Sequence, residues 1–156
     1  MPTSTYLPLA TLVLTGNDGV VSFTNIPSTY KDLRLVVVPK GNEINSATIT
    51  INGVNTGYTR VRTYATSSSG SDLGTNNAEF FFTTTNSAVV IYDFLDYSAT
   101  DRHKVWMSRS SEADRYVAAS AYRYASNSAI SSITFTSNSP YVWTAGATFS
   151  LYGIAG

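Results

Sequence analysis

Few side chains in this 156-residue chain are of kinds that do chemistry, and their spacing is uninformative. There is one histidine, His103, and there are no cysteines. A Ser-His-Asp site needs an imidazole beside a nucleophile, with a carboxylate to orient it. Asp101 stands two positions from His103 and shares its face if the segment is extended. No G-x-S-x-G elbow or comparable setting presents a serine to that pair. His103 therefore reads as a turn or strand-edge residue. Asp93, Asp96 and Asp101 are the densest carboxylates. Two of them across a cleft would suit glycoside cleavage, one protonated and one ionised. Oxygen ligands also suit calcium, but no D-x-D-x-D-G loop is present. Strand-end aspartates are the commoner use of this pattern. No catalytic residue, metal ligand or cofactor is assigned, and the expectation is a protein that is not an enzyme.

The aromatic residues are the stronger feature: 11 Tyr, 7 Phe and 2 Trp. Tyr58, Arg60, Arg62 and Tyr64 alternate with Thr59, Val61 and Thr63, and the Tyr/Arg face is expected to point outward. Tyr122, Tyr124 and Tyr152 also stand beside Arg or Ser. Tyrosine and arginine are what interface centres favour, since each is wide and amphipathic and can hydrogen-bond. These seven residues are the interface candidates. The same rings suit a second packed face within the core, or stacking on sugars.

Such residues need a scaffold, and the periodicity says which. Helical spacing is almost absent, and period-two alternation recurs. Strands are expected over 9–15, 20–24, 33–38, 48–51, 58–64, 79–83, 88–95, 104–109, 115–124, 130–136 and 147–153. Gly16-Asn17-Asp18-Gly19 and Asn52-Gly53 carry hairpin-turn chemistry, because Gly and Asn accept positive φ. The stretch 67–78, SSSGSDLGTNNA, reads as a flexible loop, too polar to pack. About ten short strands with turns between them predict an all-β fold: a single-domain antiparallel β-sandwich, jelly-roll-like. Residues 1–7 are expected to form a loose N-terminal arm, and residues 8–156 the one domain.

Composition narrows the partners. Ten Lys and Arg balance ten Asp and Glu, only 13% of residues are charged, and no basic block pulls phosphate, so nucleic acid is not an expected partner. More than a quarter of the chain is Ser or Thr, which suits the solvent face of sheets. The lack of cysteine rules out disulfides and thiolate metal sites, and fits folding in a reducing cytoplasm. The first residues lack the basic and apolar regions of a signal peptide, and no apolar run approaches the ~20 residues of a membrane helix.

One corner is more specific. FTNIPSTYKDLRL contains Phe23, Ile26, Pro27, Tyr30 and Asp32, read physically as a structural corner between strands. Ile49 and Ile51 lead into Asn52-Gly53, with Tyr58 soon after. AISSITF precedes the last strand, and the chain closes with Leu151-Tyr152-Gly153-Ile154. In this order the motifs resemble small virion proteins of tailed bacteriophages, from about Val20 to the end. Val54 stands where that pattern has Asp, and 59–88 matches none of it. The resemblance implies a non-enzymatic structural protein located in the virion and assembled in the host cytoplasm. A decoration or cement protein would form a homotrimer and bind the major capsid protein on the outside of the shell. A tail or fibre module would instead bind host-surface carbohydrate. The sequence carries no coiled-coil stalk, which favours decoration.

Overall fold

The computed structural model describes residues 5–41, 45–66, 69–75, 79–82, 88–113, 116–138 and 140–156. The described residues form twelve strands: β1 (Tyr6–Val13), β2 (Val20–Phe23), β3 (Asp32–Val38), β4 (Asn45–Ile51), β5 (Tyr58–Ala65), β6 (Ser69–Thr75), β7 (Glu79–Phe82), β8 (Ala88–Leu95), β9 (Lys104–Glu112), β10 (Tyr116–Tyr124), β11 (Ile133–Ser137) and β12 (Thr148–Ile154). They build an eight-stranded sheet, β1-β12-β3-β8-β9-β10-β5-β6, and a four-stranded one, β2-β11-β4-β7. All pairings are antiparallel.

The expected all-β sandwich is thus what the chain forms. Its frame is a jelly roll: β1-β12-β3-β8 faces β2-β11-β4-β7, and successive frame strands alternate between the two sheets except β4 and β7, which pair within the smaller one. The other four strands are insertions. β5 and β6 lie between β4 and β7 in sequence, and β9 and β10 between β8 and β11. Together they extend the large sheet beyond β8. The core between the sheets is built of aliphatic side chains and aromatic rings. Leu33, Leu35, Val37, Ile49, Ile133 and Phe149 have no exposed surface. Phe135 of β11 meets Tyr92 of β8 and Phe149 of β12, with ring centroids 5.9 and 5.5 Å apart.

Three sequence expectations change. First, Gly16–Gly19 does not close a hairpin. β1 and β2 belong to different sheets, and the turn crosses between them, with Asp18 exchanging backbone bonds of 2.9 Å with Trp143. Asn52-Gly53 does make a tight turn, with φ of 53° and 72° and Val54 N–H donating to Ile51 O at 3.0 Å. There too the chain then changes sheet. Second, residues 69–75 of the expected loop are strand β6, paired with β5 in unbroken register from Thr59↔Thr75 to Ala65↔Ser69. The ladder and an ion pair at Asp72 supply order that composition does not signal. Third, β1 begins at Tyr6, so the end of the expected arm is strand; residues 1–4 lie outside the described residues.

The conspicuous corner is structural. Tyr97, fully buried, donates its hydroxyl to Pro27 O, and Asp32 accepts from the Asp96 amide at 2.7 Å. Ile26 N–H donates to Ser131 O at 3.0 Å. The Tyr30 ring lies flat over Gly153: a Cβ there would stand 2.5 Å from the ring. Asn52 Oδ1 accepts from the Ser131 and Ser132 amides at 2.9 and 3.1 Å, and its Nδ2 donates to Ala129 O at 2.8 Å. The four motifs that are distant in sequence therefore meet at one end of the sandwich.

Candidate interaction surface

The extension β9-β10-β5-β6 presents two faces of different chemistry. Its inner face continues from the core. Phe94 of β8 stacks on Trp106 of β9 at 5.4 Å, and Trp106 on Tyr122 of β10 at 5.1 Å with planes 5° apart. Tyr58 of β5 stacks on Tyr124 at 4.8 Å. Its hydroxyl donates to Val54 O at 2.6 Å and accepts from Ile51 N–H at 2.8 Å, and burial pushes its pKa up to about 12. Burial raises Tyr92 well above the ordinary tyrosine value and also raises Tyr116.

Farther out the same face turns polar. Arg60 and Arg62 are 6% and 8% exposed, and both donate to Asp72 of β6, Arg60 at 3.2 Å. The Arg62 guanidinium also lies 5.1 Å from the Tyr64 ring centroid. Tyr58, Arg60 and Arg62 thus point inward, opposite to the expected direction, and Tyr64 shares their face, half-buried. The reason is Asp72, whose carboxylate compensates two buried guanidiniums. Tyr122 and Tyr124 are buried as well, and Tyr152 is half-buried in register with Arg34. Six of the seven interface candidates line the inner face of the extension, and Tyr152 belongs to the frame.

The outer face is apolar and exposed. Val61, Leu73, Met107 and Val117 are 52%, 69%, 54% and 56% exposed. Register places Asp93, Met107, Ala121, Val61 and Leu73 in one row across five strands. A shallow hollow of about 600 Å³ is lined by Val89, Ile91, Val117, Ala119 and Arg109. A second, of about 440 Å³, lies across Arg109 against Arg34, Asp93, Leu95, Met107 and Ile154. Asp93 accepts from Arg34 Nε at 2.5 Å and from Arg109 at 2.9 Å. Arg34 also donates to the Tyr6 hydroxyl at 2.8 Å. An arginine fixed by a carboxylate and ringed by exposed aliphatics is the composition of an interface centre. Sequence reasoning passed over this face, although its residues alternate with the buried ones. The signal was there in Val61, Val105 and Met107, each flanked by polar or aromatic neighbours.

The residues first weighed for chemistry are occupied otherwise. His103 accepts from Arg123 Nε at 3.1 Å, and Asp101 pairs with Arg102 at 2.8 Å instead of orienting the imidazole. Asp96 pairs with Lys31 at 2.6 Å, which lowers its pKa. Among the described residues no group of three or more His, Cys, Asp or Glu is placed to hold a metal ion. Lys104 is buried and donates to the carbonyls of Ala99 and Arg102; burial lowers its pKa. It closes the β8–β9 turn.

No protein-family model matches the chain, and no curated protein matches it.

Proposed function

We propose that the protein is a non-enzymatic structural protein of a tailed-bacteriophage virion, a decoration protein that binds the outside of the capsid shell and stabilises it. The observation that carries this reading is the broad outer face of the extension, where exposed aliphatics surround Arg109. A flat apolar sheet face suits another flat protein surface better than a small ligand. Bound across neighbouring copies of the major capsid protein, it would bury surface that must be re-exposed before those copies separate. The resemblance adds a homotrimer, in which three modest contacts act together. The sugar-binding alternative is less well supported: Tyr58, Tyr122 and Tyr124, rings that would have stacked on a glycan, are buried. Copy number per virion, measured by quantitative mass spectrometry, tests the reading. Hundreds of copies are expected, and a few tens or fewer would assign the protein to the tail.

A further inference from the structure

The large sheet ends in β1 on one side and β6 on the other, and the two edges are built differently. β1 carries Pro8 and a register shift between Pro8 and Ala10, devices that spoil pairing with another strand. β6, Ser-Gly-Ser-Asp-Leu-Gly-Thr, has no proline, no lysine and no break in register. Its one charge, Asp72, faces inward onto Arg60 and Arg62. Leu73, on its outer side, is the most exposed large apolar residue among those described. Among the described residues β6 pairs only with β5.

Its two glycines matter most. A Cβ on Gly70 would stand 2.7 Å from the Tyr64 hydroxyl, and one on Gly74 would stand 3.1 Å from Arg60 Cζ. Tyr64 and Arg60 therefore reach across β6, over bare backbone, toward the open edge. Gly70 and Gly74 are also equidistant from Asp72 in sequence.

We propose that β6 pairs antiparallel with β6 of a second copy, about a two-fold axis at Asp72, joining the two large sheets into one. In that register Gly70 lies opposite the second copy's Gly74. One row then reads Tyr64, Gly70, the second copy's Gly74, the second copy's Arg60. Adjacent strands lie about 4.8 Å apart, which brings the Tyr64 ring within the ~6 Å reach of a guanidinium over an aromatic face. The two-fold axis makes the contact twice. The two Asp72 carboxylates meet with arginines already on each, which offsets their repulsion. On the outer side Leu73 falls diagonal to its twin at roughly 7–8 Å and is covered. The edge is complementary to its own reverse, which is what a two-fold interface requires. This pairing does not rest on the virion reading, and it is an alternative to the homotrimer that the resemblance adds.

Sedimentation and light scattering of the purified chain are expected to give twice the 16.8 kDa mass. Leu73→Lys should weaken self-association by at least ~tenfold, with an unchanged melting temperature at dilutions where both chains are monomers. The chain has no cysteine, so cross-linking reports the register cleanly. Ser71→Cys mixed with Leu73→Cys should form a disulfide-linked dimer on oxidation, and neither variant alone should do so. A wild-type monomer or trimer would overturn the proposal, as would a dimer indifferent to Leu73→Lys or a mixed pair that fails to cross-link.

Discussion

The frame and the extension are antiparallel β of the same alternating pattern, yet they bury opposite chemistry. Between the frame sheets the inward rows are Leu33, Leu35 and Val37 against Ile49, Ile133 and Phe135, aliphatic and aromatic side chains with no ion pair among them. On the extension the inward row of β5 is Tyr58, Arg60, Arg62 and Tyr64, held by stacking and by Asp72. Its outward rows carry Val61, Met107 and Val117. Where two sheets face each other, burial sorts residues by hydrophobicity. Where one sheet runs past its partner, ion pairing and ring stacking decide, and the apolar side is left for something else to cover.

The largest test of that contrast is at the seam. Trp106 joins the regions through Phe94 and Tyr122. Trp106→Ala should cost about 4 kcal/mol in denaturant unfolding, in one cooperative transition. Two separated transitions would show that frame and extension are independent units. Next is the corner. Gly153→Val drives side-chain atoms into the Tyr30 ring and should cost about 3 kcal/mol. Adding Tyr30→Ala should recover part of that loss, a coupling that a double-mutant cycle reads directly.

A smaller effect comes from pH. The folded chain holds the Tyr58 proton to about 12, against the ordinary tyrosine value of 10.0. Between those values only the unfolded chain loses the proton, so stability is full below pH 10 and falls as pH rises toward 12. Tyr58→Phe should flatten that alkaline decline and cost about 1 kcal/mol at neutral pH; an unaltered decline would assign it to other tyrosines. The smallest effect on stability is expected at Met107→Glu, within about 0.5 kcal/mol. Shell occupancy should nevertheless fall if the outer face is the docking surface, and unchanged occupancy would remove that face from the reading.

What could be read in the sequence follows the same division. The frame strands announced themselves, because Val, Ile and Phe at period two have one stable destination. Pro27, Tyr30 and Asp32 mark a corner between strands in the sequence, but the contact of Tyr30 with Gly153 is not legible there. That contact joins residues over a hundred positions apart, and no local pattern encodes it. The extension misled for a physical reason. Alternation on β5 shows that two faces differ, but not which is inside. Arginine normally settles that question outward. Here a carboxylate from SGSDLGT reversed it, and that segment, poor in β-branched and aromatic residues, gave no sign of being a strand. The candidate surface was missed with it: once Tyr58 to Tyr64 were turned outward, Val61 was turned inward.

The pairing of β1 with β12 has a consequence for the order of assembly. Thr11 and Ser150, bonded at 3.2 Å, are 139 positions apart, and Ala155 N–H donates to Thr5 O at 3.1 Å. The extension is instead built from two hairpins of sequence neighbours, β5 with β6 and β9 with β10, joined by the longer-range pairing of β10 with β5. Closing short loops is faster than closing long ones. On a ribosome these hairpins can form while the frame still lacks β12, the strand that stands between β1 and β3. Arg60 and Arg62 can therefore meet Asp72 before the jelly roll closes, so a part of the extension can be ordered while the core that anchors it is still incomplete.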